Sequence, residues 1–432
     1  MSGHSALIVF TRYPQPGRAK TRLIPALGAE GAAELQRQMT RVTVGRAWSY
    51  CATTPSAILT IAYEGGDAAL MRQWLGPLDF VKQGDGDLGQ RLRRAALGAF
   101  GAGAGRVVII GSDCPSLTEE GLAAAVTTTQ LHPVVFGPAG DGGYYLVALT
   151  QPSQVSLFDN IPWSTAAVLA ASCDAARATG HEPALLATLP DVDEPADLPA
   201  AETALHAAET VSVIIPALNE AANLARLLPA LDAAAPHEII IADGGSTDET
   251  AAVTARFGAR HVRTAKGRGA QMNAAAAIAT GEFLLFLHAD TDLPAAFPDI
   301  IRKTLMIPGT AAGAFTFRLR EPFRGGGLIE KGVALRCRTR SLPYGDQGLF
   351  LRRSLFSALQ GFPEYPILED VAFVRRLRAL GRIVTTPEAA LTSSRRWQQR
   401  GMLSTFLRHQ LILAGYAFGI SPQRLAGWRS EE

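Results

Sequence analysis

The stretch Glu282-Phe-Leu-Leu-Phe-Leu-His288-Ala-Asp290-Thr-Asp292-Leu-Pro294 decides the fold of this chain. Its short, unbroken apolar run before a cluster of acids predicts a buried parallel strand that delivers carboxylates to the edge of a sheet. Ligands bind at that edge in open α/β sheets, so Asp290 and Asp292 are candidates to hold a divalent metal that neutralises a diphosphate. The alternative interpretation is a surface turn whose acids cap the next helix.

Length and composition bound the class of protein. A chain of 432 residues exceeds one ordinary core, and we expect two domains. With 47% hydrophobic and 19% charged residues the composition is that of a globular protein. A net charge of +2 gives no large field for nucleic acid, so we expect no nucleic-acid partner.

Cysteine usage and apolar runs indicate the compartment. The cysteines show no zinc spacing, which favours a reducing cytoplasm; they are Cys51, Cys114, Cys173 and Cys337. Residues 6–10 are too short for a signal-peptide core, and residues 411–420 fall short of the roughly 20 that span a bilayer. We expect neither export nor a transmembrane segment.

Cations follow the first predicted strand, residues 6–10. The loop after it is rich in glycine and proline and carries Arg18, Lys20 and Arg22. Such a loop directly after a strand is where α/β proteins bind phosphates, through backbone N–H groups and cationic side chains. The alternative is a solvated basic turn.

Acids mark two further places in the first half. Asp113 follows the predicted buried strand 106–111, and Asp191 and Asp193 alternate on one face of an extended segment. Asp113 with either Asp191 or Asp193 forms a candidate metal pair. Between them, glycines in Ala139-Gly-Asp141-Gly-Gly let the backbone approach a ligand closely.

Together, Lys20-Thr-Arg22-Leu, Gly-Ser-Asp113-Cys-Pro, Asp141-Gly-Gly-Tyr and Asp-Val-Asp193-Glu-Pro resemble the DUF2064 family. That family is related to the nucleotidyltransferases that make molybdopterin guanine dinucleotide and phospholactate guanylate. The resemblance covers about residues 5–200 and implies a nucleotide-diphospho-sugar transferase fold. It implies that Lys20 and Arg22 contact phosphate and that Asp113 and Asp193 hold Mg²⁺. The glycine-dense loop common in sugar nucleotidyltransferases is replaced by residues 11–17.

An alanine-rich segment, residues 198–210, separates the halves and predicts a short helix or linker. We therefore expect domains at residues 1–206 and 207–432. The second opens with another buried strand, Val211-Ser-Val-Ile-Ile-Pro216.

Three polar segments follow predicted elements of the second half. Pro216-Ala-Leu-Asn219-Glu220 comes after its first strand, and Asp243-Gly-Gly-Ser-Thr-Asp248 after the next. An acid at the end of strand two is well placed to contact a nucleoside, although the same residues are ordinary turn formers. Lys266-Gly-Arg268-Gly-Ala-Gln-Met-Asn273 brings cations and glycines that suit a diphosphate.

In this order, and followed by Leu-His288-Ala-Asp290, the segments resemble the family 2 glycosyltransferases. The resemblance covers about residues 210–400. It implies a GT-A fold, a nucleotide-sugar donor, Mg²⁺ or Mn²⁺, and transfer with inversion. Asp290 would ligate the metal, with His288 in the first position of the family's Asp-x-Asp and Asp292 outside it. The implied donor-binding residues are Pro216, Asn219, Glu220, Asp243, Lys266, Arg268, Asn273 and His288.

Inversion needs a base that accepts the proton of the acceptor hydroxyl. Glu369-Asp370 lies at a predicted helix start, where acids are also favoured as caps. The family pattern makes Asp370 the base and Glu369 its support. Asp346, Gln347, Arg396 and Trp397 are expected on the acceptor side, although residues 395–401 are also typical of a surface helix with a packed tryptophan.

We therefore expect two nucleotide-diphospho-sugar transferase domains in tandem, each a mostly parallel sheet flanked by helices. The second would be a metal-dependent glycosyltransferase acting on a small-molecule or lipid acceptor. The first would be a nucleotidyltransferase-like partner that makes the donor, with a second glycosyltransferase or a non-catalytic sugar-nucleotide-binding scaffold as alternatives. The tail, residues 406–418, has helical apolar spacing, which more often means core or dimer packing. Contact with the inner face of a membrane or with a partner's surface is the alternative.

Overall fold

The computed structural model describes residues 3–395, 398 and 402–428. The chain forms two compact units. Unit 1 contains Met1–Ala208 and Met306–Gly309, and unit 2 contains Glu209–Leu305 and Thr310–Glu432.

Unit 1 alternates strands with helices. Its elements are β1 His4–Arg12, α1 Ile24–Thr53, β2 Ala57–Glu64, α2 Ala68–Leu75, β3 Phe80–Lys82, α3 Leu88–Gly101, β4 Ala104–Gly111, α4 Glu119–Thr128, β5 Val134–Pro138, β6 Tyr144–Leu149, α5 Val168–Ala178, β7 Ala184–Leu185 and α6 Leu198–Ala207. Short 3-10 helices span Thr21–Leu23, Pro152–Phe158 and Pro195–Asp197.

Unit 2 repeats the alternation. Its elements are β8 Val211–Ala217, α7 Ala221–Ala233, β9 Glu238–Asp243, α8 Thr250–Arg256, β10 Arg260–Arg263, α9 Arg268–Ile278, β11 Phe283–Phe286, β12 Thr291–Asp292, α10 Phe297–Leu305, β13 Thr310–Leu319, α11 Gly326–Arg340, β14 Leu349–Arg352, α12 Arg353–Ala358, α13 Glu369–Leu380, β15 Arg382–Thr392, α14 Met402–Ala417 and α15 Pro422–Ala426. A 3-10 helix spans Gly345–Gln347.

The two sheets have the same strand order. Unit 1 runs β3-β2-β1-β4-β6-β5-β7, and unit 2 runs β10-β9-β8-β11-β14-β13-β15 with the two-residue β12 added at the edge. In both, the fifth strand of this order (β6 or β14) is antiparallel to its two neighbours, and the other main pairings are parallel. The predicted fold class, two mostly parallel sheets flanked by helices, is confirmed.

Unbroken apolar runs mark the central strands because both of their faces are covered. In β1, Ala6, Ile8 and Phe10 pack into one hydrophobic core cluster while Leu7 and Val9 pack into another. The strand in the stretch Glu282 to Pro294 is also covered on both faces. This strand, β11, lies between β8 and β14, and all four of its residues are buried. The apolar run is thus a buried strand, as predicted. It ends at Phe286, before the acids, and it pairs parallel with β8 but antiparallel with β14.

The alanine-rich segment between the halves forms α6, whose Ala201 and Leu205 are buried.

Among the described helices, none is both long and apolar enough to cross a bilayer.

Candidate functional site

Asp290 lies just beyond the end of β11, on a fixed backbone. Its carbonyl oxygen accepts hydrogen bonds from Arg320 at 2.5 Å and from the Ser393 N–H at 3.2 Å. Its carboxylate accepts a long hydrogen bond from Thr291 Oγ1, at 3.3 Å. The backbone is thus held firmly while the carboxylate remains half-buried and lightly engaged by the described residues.

Asp292, the other acid of the stretch, is already paired with two guanidinium groups. Arg320 Nε lies 2.6 Å from Asp292 Oδ2, and Arg226 is bonded to Oδ1. A metal at Asp292 would have to compete with both cations. Of the two acids, Asp290 has the carboxylate that can accept a cation without breaking an ion pair.

Asp370 faces His288 across Gly345. The Asp370 side chain lies in the first turn of α13, where Oδ1 accepts the Val371 N–H at 2.7 Å and Oδ2 accepts the Gly345 N–H at 2.8 Å. A Cβ added at Gly345 would lie 3.1 Å from His288 Nε2 and 3.4 Å from Asp370 Oδ2. Glu369, which opens α13, is buried.

Asp346 lies among these acids. Its Oδ1 is buried and has no hydrogen-bond partner among the described residues, while Thr392 Oγ1 donates to its carbonyl oxygen at 2.9 Å. Burial raises the pKa of Asp346 to about 6; Arg336 opposes the rise, and the charges of Asp370 and Asp290 add to it. An orphaned carboxylate oxygen beside other acids fits a bound divalent cation.

Gln347 holds the loop that carries Asp346. Its Nε2 donates to the Phe315 carbonyl at 3.0 Å, and its Oε1 accepts the Tyr344 N–H at 3.2 Å. The Arg336 guanidinium stacks 3.5 Å from the centre of the Tyr344 ring and also reaches Gln347. The amide of Gln347 therefore fixes the loop from inside. Arg396 and Trp397 lie outside the described residues.

A second group of predicted residues gathers where β8 and β9 end. Asn219, with a φ of 56°, accepts the Thr247 N–H at 2.8 Å and donates its own N–H to Ser246 Oγ at 2.9 Å. Glu220 donates its N–H to Thr250 Oγ1 at 3.0 Å. Asn219 and Glu220 thus join the loop after β8 to the loop after β9.

Asp243 ends β9 and is almost fully engaged by its surroundings. Its Oδ1 accepts from the Gly245 and Ser246 N–H groups and from Ser246 Oγ, and its Oδ2 lies 3.0 Å from His261 Nε2. Burial alone would raise the pKa of Asp243, but hydrogen bonds from Ser246, His261 and Gly245 lower it. The side chain is held as a carboxylate. His261 gave no sequence signal, because its position beside Asp243 depends on the pairing of β10 with β9.

The remaining donor-side residues fall on three elements. Pro216 belongs to β8 and pairs in register with Ala242. Lys266 lies in the exposed loop before α9, and Arg268 is the first residue of that helix. Asn273 bonds the Phe362 backbone through both amide atoms, at 2.9 Å each. Asn273 therefore ties α9 to the segment that leads to Asp370.

Lys20 is the centre of the unit 1 site. Its Nζ lies 2.8 Å from Asp113 Oδ1, 2.7 Å from Asp193 Oδ1 and 2.6 Å from the Val192 carbonyl oxygen. The side chain is 6% exposed, and its φ of 46° is in the left-handed region. Burial opposes the charge, but Asp113 and Asp193 outweigh it and raise the pKa of Lys20. All three N–H donors of the ammonium are used.

Three carboxylates gather beside Lys20. Asp141, Asp191 and Asp193 offer oxygen atoms that lie within 4.8 Å of one another. Burial and the charge of Asp141 raise the pKa of Asp191. An all-carboxylate set suits Mg²⁺ or Mn²⁺. Asp141 was not among the ligands predicted from the sequence. The available signal was its glycine loop before β6, the strand that corresponds to β14 after Asp346.

A cleft of about 440 Å³ opens beside these residues. Lys20 and Arg22 line it, whereas the exposed Arg18 contributes its carbonyl oxygen to Arg12. Within the cleft, Glu64 Oε2 accepts from Arg12 at 2.9 Å and from Arg91 at 3.1 Å. The cleft is also lined by Asp113 and Asp193, which puts cations and acids on one surface.

Comparison with known proteins identifies both halves. Residues 48–165 match the family described as an uncharacterized protein conserved in bacteria, DUF2064. Residues 212–303 match glycosyl transferase family 2. Both resemblances predicted from the sequence motifs are confirmed.

Similar proteins of known sequence come from mycobacteria. A PGL/p-HBAD biosynthesis glycosyltransferase of Mycobacterium bovis (strain BCG / Pasteur 1173P2) is 32% identical over 193 residues, which cover 41% of this chain and 73% of that protein. An uncharacterized glycosyltransferase of Mycobacterium tuberculosis (strain ATCC 25618 / H37Rv) is 34% identical over 90 residues, 21% of this chain and 40% of that protein.

Two solved structures are similar in part. A proposed nucleotide-diphospho-sugar transferase from Desulfovibrio desulfuricans G20 is 29% identical, with a TM-score of 0.42, covering 47% of this chain and 97% of that one. Glucosyl-3-phosphoglycerate synthase from Mycobacterium tuberculosis, in complex with Mn²⁺, uridine diphosphate and phosphoglyceric acid, is 21% identical with a TM-score of 0.38. That match covers 49% of this chain and 79% of the synthase.

Proposed function

We propose, from the premise that this chain belongs to glycosyl transferase family 2 with a DUF2064 domain fused ahead of it, that unit 2 transfers a sugar from a nucleotide-sugar donor to an acceptor hydroxyl. The proposal includes inversion at the anomeric carbon. One observation carries it: Asp370 Oδ2 is held by the Gly345 N–H at 2.8 Å, in the same cluster of acids as Asp290.

Asp370 is the proposed base. The acceptor oxygen attacks the anomeric carbon from the face opposite the diphosphate, the bond to the diphosphate breaks, and Asp370 Oδ2 takes the hydroxyl proton. The hydrogen bonds from Gly345 and Val371 orient the carboxylate before the acceptor arrives. Glu369 supports the start of α13 from its buried position.

Asp290 and Asp346 are the proposed holders of Mg²⁺ or Mn²⁺. A cation there would neutralise the leaving diphosphate. Support comes from the lightly engaged Asp290 carboxylate and the orphaned Oδ1 of Asp346. His288, facing Gly345, would contact the donor.

The ends of β8 and β9 form the proposed nucleoside side. Asn219 and Glu220 fix the two loops there, and Asp243 presents a carboxylate held in its charged form. Lys266 and Arg268 would bind the diphosphate, because the start of α9 adds unpaired N–H groups to their positive charge.

Unit 1 is proposed as a nucleotidyltransferase-like domain that makes the donor consumed by unit 2. Arg12, Arg22 and Arg91 supply positive charge to its cleft, and Asp141, Asp191 and Asp193 supply candidate metal ligands. The reaction would occur in the reducing cytoplasm, which is compatible with the four free cysteines.

A second candidate for unit 1 is a non-catalytic sugar-nucleotide-binding domain. It is favoured by the saturation of Lys20, since the ammonium can contact a phosphate only after leaving Asp113, Asp193 or Val192. Incubating the full chain with each nucleoside triphosphate and a panel of sugar 1-phosphates would separate the two. Pyrophosphate release supports the enzyme, and its absence alongside active transfer by unit 2 supports the binding domain.

The proposal for unit 2 is tested by melting the full chain with a panel of nucleotide sugars and Mn²⁺. A true donor raises the melting temperature, because it binds the folded state. Transfer is then assayed with that donor. If no nucleotide sugar shifts the melting temperature, the proposed donor site is wrong.

A further inference from the structure

Helix α14 exposes a continuous apolar stripe. Leu407, Leu411 and Phe418 are 51%, 62% and 89% exposed, and Ala414 between them is also exposed. Their spacing of four, three and four residues places them on one side of a helix. We call these four residues the tail stripe.

The other side of α14 is already packed. Ile412 is buried in a cluster with Ile367 and Leu425, and Arg375 stacks 4.9 Å from the centre of the Tyr416 ring. The helix is therefore attached to unit 2 by one face, and the tail stripe is its opposite face. Core packing, one of the alternatives drawn from the sequence, accounts for Ile412, while the stripe stays exposed in the part of the chain that the structure describes.

The sequence around the stripe carries a net positive charge. Residues 389–432 contain six arginines and two glutamates, Glu431 and Glu432, at the end of the sequence. Two copies of this chain meeting through the stripe would bring like charges together, whereas an anionic surface would attract them. Trp428 is 47% exposed, and tryptophan favours the boundary between water and lipid.

We propose that the tail stripe docks on the headgroup region of an anionic lipid bilayer, with α14 lying in the plane of the membrane. The 16 residues of α14 span about 24 Å, less than the hydrocarbon core, so the helix rests on the bilayer without crossing it. Apolar side chains on one face with arginines around them are the composition of an interfacial helix.

Docking would also bring the unit 2 site close to lipid. Ile412 of α14 packs in a cluster with Ile367, which lies three residues before Asp370. This step rests on the proposed transferase function and favours an acceptor hydroxyl carried on a membrane lipid. The docking itself does not depend on transfer.

The test is co-sedimentation of the full chain with vesicles of phosphatidylcholine alone and of phosphatidylcholine mixed with phosphatidylglycerol. We expect binding to the mixed vesicles, weakened by salt, and little binding to the neutral ones. The double variant Leu411→Gln/Phe418→Gln should bind about tenfold more weakly. Leu131→Gln, which changes a leucine of unit 1 that is 84% exposed, is the matched control and should bind like the parent chain.

Equal binding by the parent chain and the stripe variant, or no binding by either, would overturn the proposal. Light scattering without lipid measures whether the chain forms a dimer. If the parent chain is a dimer and the stripe variant is a monomer, a second copy covers the stripe and the lipid proposal is wrong. Donor-induced melting shifts of the same variant report on the transferase site, so loss of docking and failure of the proposed function are distinguishable.

Discussion

Gly345 donates its N–H to Asp370 Oδ2 at 2.8 Å, and the place where its Cβ would be lies 3.1 Å from His288 Nε2. Gly345 does not have a positive φ, so the backbone does not require a glycine here. The glycine is needed because it leaves space for the His288 and Asp370 side chains. Any side chain would intrude between the proposed base and the strand edge that carries Asp290.

Gly345→Ala is expected to lower the transfer rate roughly ten- to a hundredfold, because the methyl group displaces His288 or Asp370 from its position. Folding should be nearly unaffected. The matched control is Gly327→Ala in α11, where a Cβ meets no atom within 4 Å. Steady-state kinetics and melting curves of both variants decide the point; equal activity would show that the space is not needed.

Asp370→Asn should reduce transfer about a hundredfold or more, because an amide cannot accept the proton of the acceptor hydroxyl. The asparagine keeps the shape needed to accept the Gly345 N–H, so donor binding should persist. Donor-induced melting shifts beside single-turnover rates measure the two effects. Transfer at the parent rate would remove Asp370 from the role of base.

Asp290→Ala and Asp292→Ala should change different properties: the first the dependence of transfer on Mn²⁺, the second the stability of the fold. Loss of Asp290 removes a proposed metal ligand and should abolish the response of transfer to Mn²⁺. Loss of Asp292 removes the carboxylate that Arg320 and Arg226 share and should lower stability by up to about 1 kcal/mol, since the pairs are partly exposed. Transfer rates measured over a Mn²⁺ titration, together with urea unfolding curves of each variant, distinguish the two effects. The reverse pattern would make Asp292 the ligand.

Asp346→Asn should stabilise the chain at neutral pH. The folded pKa of Asp346, about 6, lies above its unfolded value of 3.8. Its contribution to stability is therefore fully present below pH 3.8 and is lost as pH rises through about 6. By pH 7 the loss amounts to roughly 3 kcal/mol. Urea unfolding of the metal-free chain at pH 5 and pH 7 should show a smaller decline in the variant; identical declines would contradict the assignment.

Lys20→Met should destabilise unit 1 by about 1–3 kcal/mol. The change leaves Asp113 and Asp193 facing each other without a cation, and the effect is moderated because both carboxylates are partly exposed. Mn²⁺ should then raise the melting temperature of the variant more than that of the parent chain, since the two carboxylates become free for the metal. If Mn²⁺ raised the melting temperature of both proteins equally, Lys20 would not be competing with the metal for the carboxylates of Asp113 and Asp193.

Much of the fold follows from local sequence. The apolar runs at residues 6–10 and 283–287 predict strands covered on both faces, and β1 and β11 are buried in that way. The acids after such strands also follow, because carboxyl ends of parallel strands share one edge. This reasoning gives Asp113, Asp290 and Asp292 as candidate ligands, and the family resemblance then favours Asp290 over Asp292.

The details of the sites depend on contacts between distant segments. Asp292 differs from Asp290 because Arg226 and Arg320 reach it from α7 and from the residue after β13. Gln347 and Asn273 were predicted to contact ligands, while their amides bond the Phe315 and Phe362 backbones. Asp141 joins Asp191 and Asp193 because an antiparallel strand, β6, returns its loop to the parallel edge.

The shared strand order has a consequence for how the chain is made. Two sets of seven strands with the same order and directions offer each strand a similar, incorrect partner in the other set. All seven strands of unit 1 precede β8, so the ribosome releases one complete set before the other begins. Tandem domains that fold in order of synthesis avoid exchanging elements. Mispairing is therefore a hazard of refolding from denaturant, when both sets compete at once, more than of synthesis.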